Sequence, residues 1–357
     1  MSHGAASTPS VFGLLPEQLV AHLATHGVAL RDDEARRALA RAFAHPSDPP
    51  SRRPLSRAKQ DALATLTSGA RLELVERVTD ASDAFVKYLF RSPDGALSEA
   101  VRIPLEKPGC FSVCLSSQVG CAMQCVFCAT GRLGLSRNLE PWEMVAAFLT
   151  VRDEAPGRVS GVVFQGQGEP LHNYDHVIQA ARVLSHPCGG HVSGRAITIS
   201  TVGLVPQIRR FASERHPYRL IISLTSAVAE RRARLLPVAG RFSIEQLADA
   251  VRELSLVAKG RVTIAWVVMS GVNTDQAEVD ALRRHFGDLP LRINLIDVND
   301  PRPDGFRRAD DAERKALMDR LQILRAPIVR RYSGGASRHA ACGMLAATRC
   351  SADGGSA

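Results

Sequence analysis

The sequence predicts an α/β fold: a partial (β/α) barrel of parallel strands with a small N-terminal accessory domain. Two observations lead to this prediction. From about residue 110 onward, short apolar runs typical of strands alternate with stretches typical of helices, which indicates parallel strands joined by crossover helices. The chain also has 357 residues, 45% of them apolar, and this is enough to build a large core plus a second, smaller one.

The predicted barrel contains seven strands, each a short run rich in β-branched and apolar residues. They span 111–115, 159–165, 195–201, 218–224, 261–268, 291–296 and 326–332. The helical patterns near and between them span 141–153, 174–185, 204–214, 243–258, 275–286 and 310–324. This number of units favours an open barrel over a small doubly wound sheet, and in both folds ligands bind at the carboxyl ends of the strands.

The first 105 residues follow a different pattern. Residues 1–13 are expected to be a disordered leader, residues 14–69 to form short helices, and residues 70–105 to form strands with a turn at Pro93-Asp94-Gly95. We therefore predict an accessory module over 14–105, the barrel over 106–348 and a flexible tail over 349–357.

The excess of basic residues has two possible explanations. The chain has 45 basic and 36 acidic residues, a net charge of +9, and forty of the basic residues are arginine. Guanidinium groups bind phosphate well, which favours a nucleic-acid partner, whereas a GC-rich genome would produce the same bias without one. No apolar run approaches the roughly 18–20 residues that cross a bilayer, and the N-terminus has no signal-peptide pattern, so we expect a soluble cytoplasmic protein.

Three of the eight cysteines are closely spaced as Cys121-x3-Cys125-x2-Cys128, directly after the first barrel strand. Three thiolates on one loop can bind three irons of a [4Fe-4S] cluster and leave the fourth iron open. The amino and carboxylate groups of S-adenosylmethionine (SAM) can chelate an open iron, and one electron from the cluster then releases a 5′-deoxyadenosyl radical. Zinc is the alternative, but a structural zinc site needs four ligands and no second cysteine pair follows.

Polar and small residues follow the later strands. Gly168 and Glu169, in the run FQGQGEPLHN, follow the second strand, where a glycine lets the backbone approach a ligand and a carboxylate can accept from an ammonium group. Ser200, Ser223 and Asn299 lie at or just beyond later strand ends. Each alone is more often a cap or turn residue, but as a set in a barrel they could line a nucleoside pocket.

The cysteine and glycine segments belong to an ordered set of motifs. The set is CLSSQVGCAMQCVFCATGRLGLSRNLEPWE, GEPLHN, ISTVGLVP, PVAGRFSIEQL, VNTD, INLID and AACGMLA. In this order, over about residues 70–348, the chain resembles the RlmN/Cfr family of radical-SAM RNA methyltransferases. The resemblance implies a partial barrel with an accessory domain, and methylation of carbon 2 (favoured here) or carbon 8 of an adenine in large-subunit ribosomal RNA. Transfer RNA is a further substrate of RlmN-type members.

The resemblance also implies a role for each matching position. It implies cluster ligation by Cys121, Cys125 and Cys128, and SAM contacts at Gly168, Glu169, Ser200, Ser223, Leu224, Thr225 and Asn299. Cys342 corresponds to the methyl-carrying cysteine and Cys114 to the cysteine that resolves the covalent adduct, which leaves a Cys114–Cys342 disulfide for an external reductant to open. Glu99 corresponds to the acidic proton acceptor, although a strand carboxylate taken alone is more often simply exposed.

The implied chemistry uses two SAM molecules per turnover. The Cys342 thiolate takes a methyl group from the first, and the radical from the second removes hydrogen from that S-methyl group. The resulting carbon radical adds to the adenine ring, and the adduct then loses an electron and a ring proton. An electron donor such as flavodoxin or ferredoxin is required.

The chain departs from the family at Gln165 and Gln167, where methionines are usual, and at Thr225, where histidine is usual. Because of these departures, one alternative is a radical-SAM enzyme of the same lineage that acts on a different substrate. A non-enzymatic, metal-containing RNA-binding protein of ribosome assembly is the other alternative. It predicts zinc in place of iron and no SAM turnover.

The region around Cys342 is basic. Residues 302–349 contain eleven basic and five acidic side chains, and Arg330, Arg331 and Arg338 are the predicted phosphate contacts. A target adenine would be flipped out of its stack, because a ring carbon cannot react inside one. We expect RNA as the partner, no membrane association, and a monomer.

Overall fold

The structure is a computed structural model, and it describes residues 8–49, 53–79, 84–258, 260–300, 302 and 305–331. Cys342, Arg338 and the predicted tail lie outside these residues. The predictions that concern them are therefore carried forward as predictions.

Three helices begin the chain: α1 (Pro16–Thr25), α2 (Asp32–Ala42) and α3 (Arg57–Leu66). Proline in the first turn of α1 and three acidic residues in the first turn of α2 favour helix starts at these positions. The helices enclose a small core of their own, formed by Leu19, Leu23, Leu30, Ala35 and Leu39. The three helices predicted for this region are confirmed.

The end of the predicted leader is ordered. Val11–Gly13 form a 3-10 turn that the side chain of Ser10 caps, and Phe12 is buried with its ring 5.5 Å from the ring of Phe43. The aromatic contact and the cap explain why these residues are held, so the prediction of a disordered leader does not apply to residues 11–13.

Four strands follow: β1 (Glu73–Thr79), β2 (Val86–Arg91), β3 (Leu97–Pro104) and β4 (Cys110–Leu115). They pair antiparallel in sequence order. Because β3 pairs with β4, the strands of the predicted accessory module continue directly into the barrel sheet. The domain boundary at 105 remains a prediction.

The remaining elements alternate as the sequence predicted. The strands are β5 (Gln118–Gly120), β6 (Leu135–Asn138), β7 (Arg158–Phe164), β8 (Ile197–Thr201), β9 (Arg219–Ser223), β10 (Val262–Val268), β11 (Leu291–Asp297) and β12 (Ile328–Arg331). The helices are α4 (Ala129–Arg132), α5 (Pro141–Asp153), α6 (Tyr174–Ser185), α7 (Val205–Glu214), α8 (Ala229–Leu235), α9 (Ile244–Val257), α10 (Gln276–Phe286) and α11 (Asp311–Leu321). All seven predicted barrel strands are present, whereas the sequence missed α4, α8 and the short β5–β6 pair.

Within the described part of the chain, ten strands form one open sheet in the order β1-β2-β3-β4-β7-β8-β9-β10-β11-β12. From β4 to β12 every pair is parallel, which confirms the partial (β/α) barrel. No helix among the described residues is long and apolar enough to span a membrane.

The two faces of the parallel strands differ in burial. One face lies in the core, and on the other face, which we call the inner face, several of the alternate residues are only half-buried. Half-buried residues of the inner face are Val163, Thr198, Ile221, Val267 and Ile296. An accessible inner face with loops at its carboxyl edge is where a barrel binds ligands.

Candidate cofactor and active site

The three clustered cysteines lie on one loop, residues 121–134, whose two ends are joined by β5 and β6. These strands pair antiparallel, and the amide of Cys121 donates to the carbonyl of Gly134 at 2.7 Å. Gly120 has a φ of +76°, and a side chain there would come within 1.9 Å of the Gly134 carbonyl oxygen. A glycine at position 120 therefore allows the loop to close.

The cysteine thiols are secluded from water. Cys121 and Cys125 are buried and Cys128 is half-buried, and burial raises the pKa of the Cys121 thiol to about 12. Burial also raises the pKa of Cys125, although the positive charge of Arg232 partly offsets this effect. Buried thiols such as those of Cys121 and Cys125 become thiolates most readily when a cationic group binds them, which is the chemistry of an iron–sulfur ligand set.

The donor set on this loop is three cysteine thiols, those of Cys121, Cys125 and Cys128. A structural zinc ion needs four converging ligands, whereas each cysteine of a [4Fe-4S] cluster binds a different iron and the sulfurs stand further apart. The backbone amide of Met123 also donates to the Cys121 sulfur at 3.5 Å. The residues present therefore fit the cluster.

The loop after β7 packs tightly against the strand that leads into the cysteine loop. Gly168 has a φ of +96°, and a side chain there would come within 2.6 Å of Gln118. The amide of Ser117 donates to the carbonyl of Gln167 at 2.8 Å, and the amide of Glu169 donates to the side chain of Gln118 at 2.9 Å. Gln118 thus joins the predicted SAM loop to the predicted cluster loop.

Glu169 joins two adjacent strand ends. Its carboxylate accepts from the amide of Leu171 at 3.0 Å and from the amide of Val202, just beyond β8, at 2.9 Å. The carboxylate therefore has a structural role, and its two oxygens still have acceptor capacity left for a ligand ammonium. The sequence suggested the ligand role and missed the structural one.

The buried carboxyl of Glu169 makes stability depend on pH. Burial raises the pKa of Glu169 from 4.5 to about 7, despite the backbone donors that favour the anion. Well below pH 4.5 the Glu169 carboxyl is protonated in both the folded and the unfolded chain. As pH rises from 4.5 to 7, the unfolded chain releases this proton before the folded chain does, so the free energy of unfolding falls by about 3 kcal/mol. Thermal unfolding between about pH 5 and pH 8 should therefore show a steeper loss of stability for wild type than for Glu169→Gln. Parallel profiles would contradict this assignment.

The carboxyl ends of β8 and β9 bring two predicted SAM contacts together. The hydroxyl groups of Ser200 and Ser223 lie 3.0 Å apart. Leu224 follows in the core, and Asn299 is half-buried beyond β11 at the same edge of the sheet. The structure thus places these four predicted residues along one rim.

Thr225 adopts an unusual backbone conformation on this rim. Its φ is +61°, a strained value for a β-branched residue, and the side chain is fully buried. The side-chain amide of Asn273 donates to its carbonyl at 2.7 Å, and the amide of Ser226 donates to the carbonyl of Leu224 at 2.7 Å across the turn. Strain that the surroundings enforce in this way is typical of functional sites.

Two polar oxygens on the rim are buried without a hydrogen-bond partner among the described residues: Thr225 Oγ1 and Gln167 Oε1. Both residues depart from the family motif. An unpaired buried oxygen is costly unless a ligand donates to it, so both atoms are suited to a polar ligand.

Glu99 and Cys114 lie on the inner face. Cys114 pairs with Val163 of β7 and with Val101 of β3, and Glu99 lies two residues before Val101 on the same face. Both are buried, with exposed fractions of 4% each. Since Cys342 lies outside the described residues, its approach to Cys114 stays a prediction; no disulfide joins two of the described cysteines to each other.

Ser116 connects Glu99 to the loop after β7. Its hydroxyl donates to the carbonyl of Glu99 at 2.7 Å and accepts from the amide of Gln167 at 3.0 Å. The backbone at the predicted base and the predicted SAM loop are therefore held in one hydrogen-bonded chain.

Sequence reasoning missed three residues of this site. Gln118 lies inside the cysteine motif, and Arg232, fully buried on α8, donates to the carbonyls of Val202 and Leu224. Lys87 forms a buried ion pair with Glu99 at 3.2 Å. A lysine within the apolar run AFVKYLF was a usable signal, whereas nothing distinguishes Arg232 from the other arginines.

Comparison with known proteins decides the family. The Radical SAM superfamily matches residues 115–322. A dual-specificity RNA methyltransferase RlmN of Syntrophotalea carbinolica is 37% identical over 80% of this chain and 78% of its own length. The chain belongs to the RlmN family of radical SAM RNA methyltransferases. As a member of the RlmN family it is a SAM-dependent RNA methyltransferase, and its superfamily implies a [4Fe-4S] cluster and SAM.

Other relatives agree with membership of the RlmN family. A probable RNA methyltransferase of Myxococcus xanthus is 47% identical over 88% of this chain and 88% of its own length. A radical SAM methyltransferase of Sphaerobacter thermophilus of known structure superposes with a TM-score of 0.85 and 34% identity, over 95% of this chain and 99% of that one. The predicted family and fold are confirmed, and the roles of individual residues remain to be tested.

Proposed function

We propose that this enzyme methylates a ring carbon, with carbon 2 favoured, of an adenine in ribosomal RNA, and that it uses Cys342 as the methyl carrier. Transfer RNA is the second candidate substrate. One observation carries the proposal: Glu99 and Cys114 share the inner face beside the loop after β7. Two adjacent strands, β3 and β4, thus supply an acid–base group and a thiol at the edge where a barrel binds ligands.

The cysteine loop would hold the [4Fe-4S] cluster through Cys121, Cys125 and Cys128. When bound, the cluster supplies the electron that cleaves SAM to a 5′-deoxyadenosyl radical. The loop contributes burial, which excludes water from a reactive site, and the nearby charge of Arg232 favours the thiolate form of Cys125.

The rim residues would bind SAM. Gly168 lets the backbone approach the ligand, and Glu169 accepts from its ammonium group. The paired hydroxyls of Ser200 and Ser223 and the amide of Asn299 suit ribose and adenine edges. Leu224 supports this rim from the core, and the buried Thr225 hydroxyl gains the partner that it lacks among the described residues.

Three side chains would handle the RNA base. Cys342 carries the one-carbon unit to the adenine ring as a thioether. Glu99 accepts the ring proton, and its burial beside the inner face keeps water from competing. The Cys114 thiol would then give up its proton and attack the Cys342 sulfur, so that the S–S bond forms and the bond from the Cys342 sulfur to the methylene carbon breaks. That carbon keeps the electron pair of the broken bond and takes up a proton to become the methyl group. The Cys114–Cys342 disulfide is left for an external thiol reductant to open.

The RNA itself would be held by arginines near the last barrel strand. Arg330 and Arg331 are exposed at the carboxyl end of β12, and Arg330 lies 3.4 Å from Asp297. With Arg338 they would contact phosphates around a flipped adenine. A flavodoxin- or ferredoxin-like protein would serve as the electron donor.

The decisive experiment is mass spectrometry of nucleosides from ribosomal and transfer RNA of wild-type cells and of a strain that lacks this gene. We expect 2-methyladenosine to disappear from the ribosomal RNA of the deletion strain and to return when the gene is restored. Loss of 8-methyladenosine would move the reaction to the other carbon. Unchanged adenosine methylation in both RNA classes would refute the proposed substrate.

A further inference from the structure

A buried cation lies beside the proposed base. The Lys87 ammonium nitrogen is 3.2 Å from Oε2 of Glu99, and the two side chains are only 1% and 3% exposed. A buried ion pair loses the hydration of both charges, so its net contribution to stability is small or negative. The burial of this pair is therefore not explained by stability alone.

The sheet register places Lys87 in the active site. Lys87 on β2 pairs with Val101 on β3, and Val101 pairs with Cys114 on β4. Glu99 lies two residues before Val101, diagonally across from Lys87 on the same face. Lys87, Glu99 and Cys114 thus occupy one face of three adjacent strands.

The residue type at position 87 also points to a function. Only five of the 45 basic residues in the chain are lysines, and the other three that the structure describes are not buried: Lys59, Lys107 and Lys315. Arginine tends to engage both oxygens of a carboxylate through its fork of donors, whereas lysine contacts the carboxylate as a compact point charge. A point charge suits a carboxylate that must also accept a proton.

We propose that Lys87 is a positioning residue that holds the Glu99 carboxylate, as an anion, toward the inner face where the adenine is modified. This inference rests on the proposed function, in which Glu99 is the base. When the ring C–H bond breaks, its electron pair stays with the ring and the proton binds a Glu99 oxygen. Glu99 becomes neutral while Lys87 keeps its charge, and the ammonium nitrogen, 3.2 Å from Oε2, holds the carboxyl group in place throughout.

The test separates the step that needs Glu99 from the step that does not. Reconstituted enzyme is given methyl-labelled SAM, and Cys342 methylation is measured first without RNA. RNA methylation is then measured with large-subunit ribosomal RNA from the deletion strain. For Lys87→Met we expect normal Cys342 methylation, an unchanged KM for RNA, and a kcat at least about tenfold lower.

Lys87→Arg, which restores the charge, should recover part of the lost kcat. Lys59→Met is the matched control, because Lys59 also forms an ion pair with a glutamate, Glu34 at 2.6 Å, on the N-terminal helices. It should leave both rates unchanged. If Lys87→Met does not fold, as judged by its melting temperature, Lys87→Gln removes the charge while keeping a donor.

A double variant separates the role of Lys87 from the role of Glu99. Lys87→Met/Glu99→Gln should be no slower than Glu99→Gln alone, because Lys87 acts through Glu99. If Glu99→Gln keeps full activity, the proposed base is wrong and this inference falls with it. If Glu99→Gln is impaired while the lysine variants match wild type, only the role of Lys87 is refuted.

Discussion

Replacing Cys125 with alanine is expected to eliminate iron binding and RNA methylation together. Cys125 is buried in the middle of the cysteine loop. Gly131 packs closely against it, because a Cβ atom at position 131 would lie 2.9 Å from the backbone of Cys125. Two remaining thiols cannot replace the third ligand. Iron and sulfide content of the anaerobically reconstituted variant should fall to background, and no methylated RNA should form.

Cys188→Ala provides the control for this result. Cys188 is half-buried in the segment between α6 and β8, away from the cysteine loop in sequence. It should retain the iron content and activity of the wild type. If Cys125→Ala retained wild-type iron, the cluster ligands would have to be sought elsewhere in the chain.

Cys114→Ala is expected to leave the enzyme covalently attached to its RNA. In the proposed mechanism Cys114 resolves the Cys342 thioether, so without its sulfur each enzyme would modify at most one RNA and then stop. Denaturing electrophoresis with labelled RNA should show the adduct, and digestion should place the linkage at Cys342. The effect should be large because Cys114 acts in the product-releasing step.

Cys110→Ala is the matched control, since Cys110 lies at the opposite end of the same strand, β4. It should release methylated RNA normally. The double variant Cys114→Ala/Cys342→Ala should form no adduct. Wild-type turnover by Cys114→Ala would show that another group resolves the adduct or that no adduct forms.

The sequence predicted the barrel strands well because their signal is local. Runs such as VTIAWVV are buried β-branched segments, and β10 differs from its predicted span by one residue. The strands of the β5–β6 pair have three and four residues, too few for a periodic pattern, and their pairing depends on the contact between Gly120 and Gly134. Such a contact between distant residues leaves no local trace.

The sequence predicted which residues form the candidate site, but not the contacts between them. The spacing of the cysteines is itself a chemical signal, and the family resemblance implied the roles of Glu99 and Cys114. The ion pair of Glu99 depends on the antiparallel register of β2 and β3, which places Lys87 diagonally across from it on the same face. Taken alone, a strand carboxylate is expected to be exposed, so only the structure shows the pair.

The continuous sheet restricts how this enzyme could evolve. Glu99 and Cys114 lie diagonally across from each other on β3 and β4, at the junction where parallel strands give way to antiparallel ones. A shortened gene starting at β4 would lose the proposed base and expose an unpaired strand edge, which promotes aggregation. A deletion or exchange of the N-terminal strands would therefore disrupt the barrel itself, whereas the helices that precede them have a core of their own.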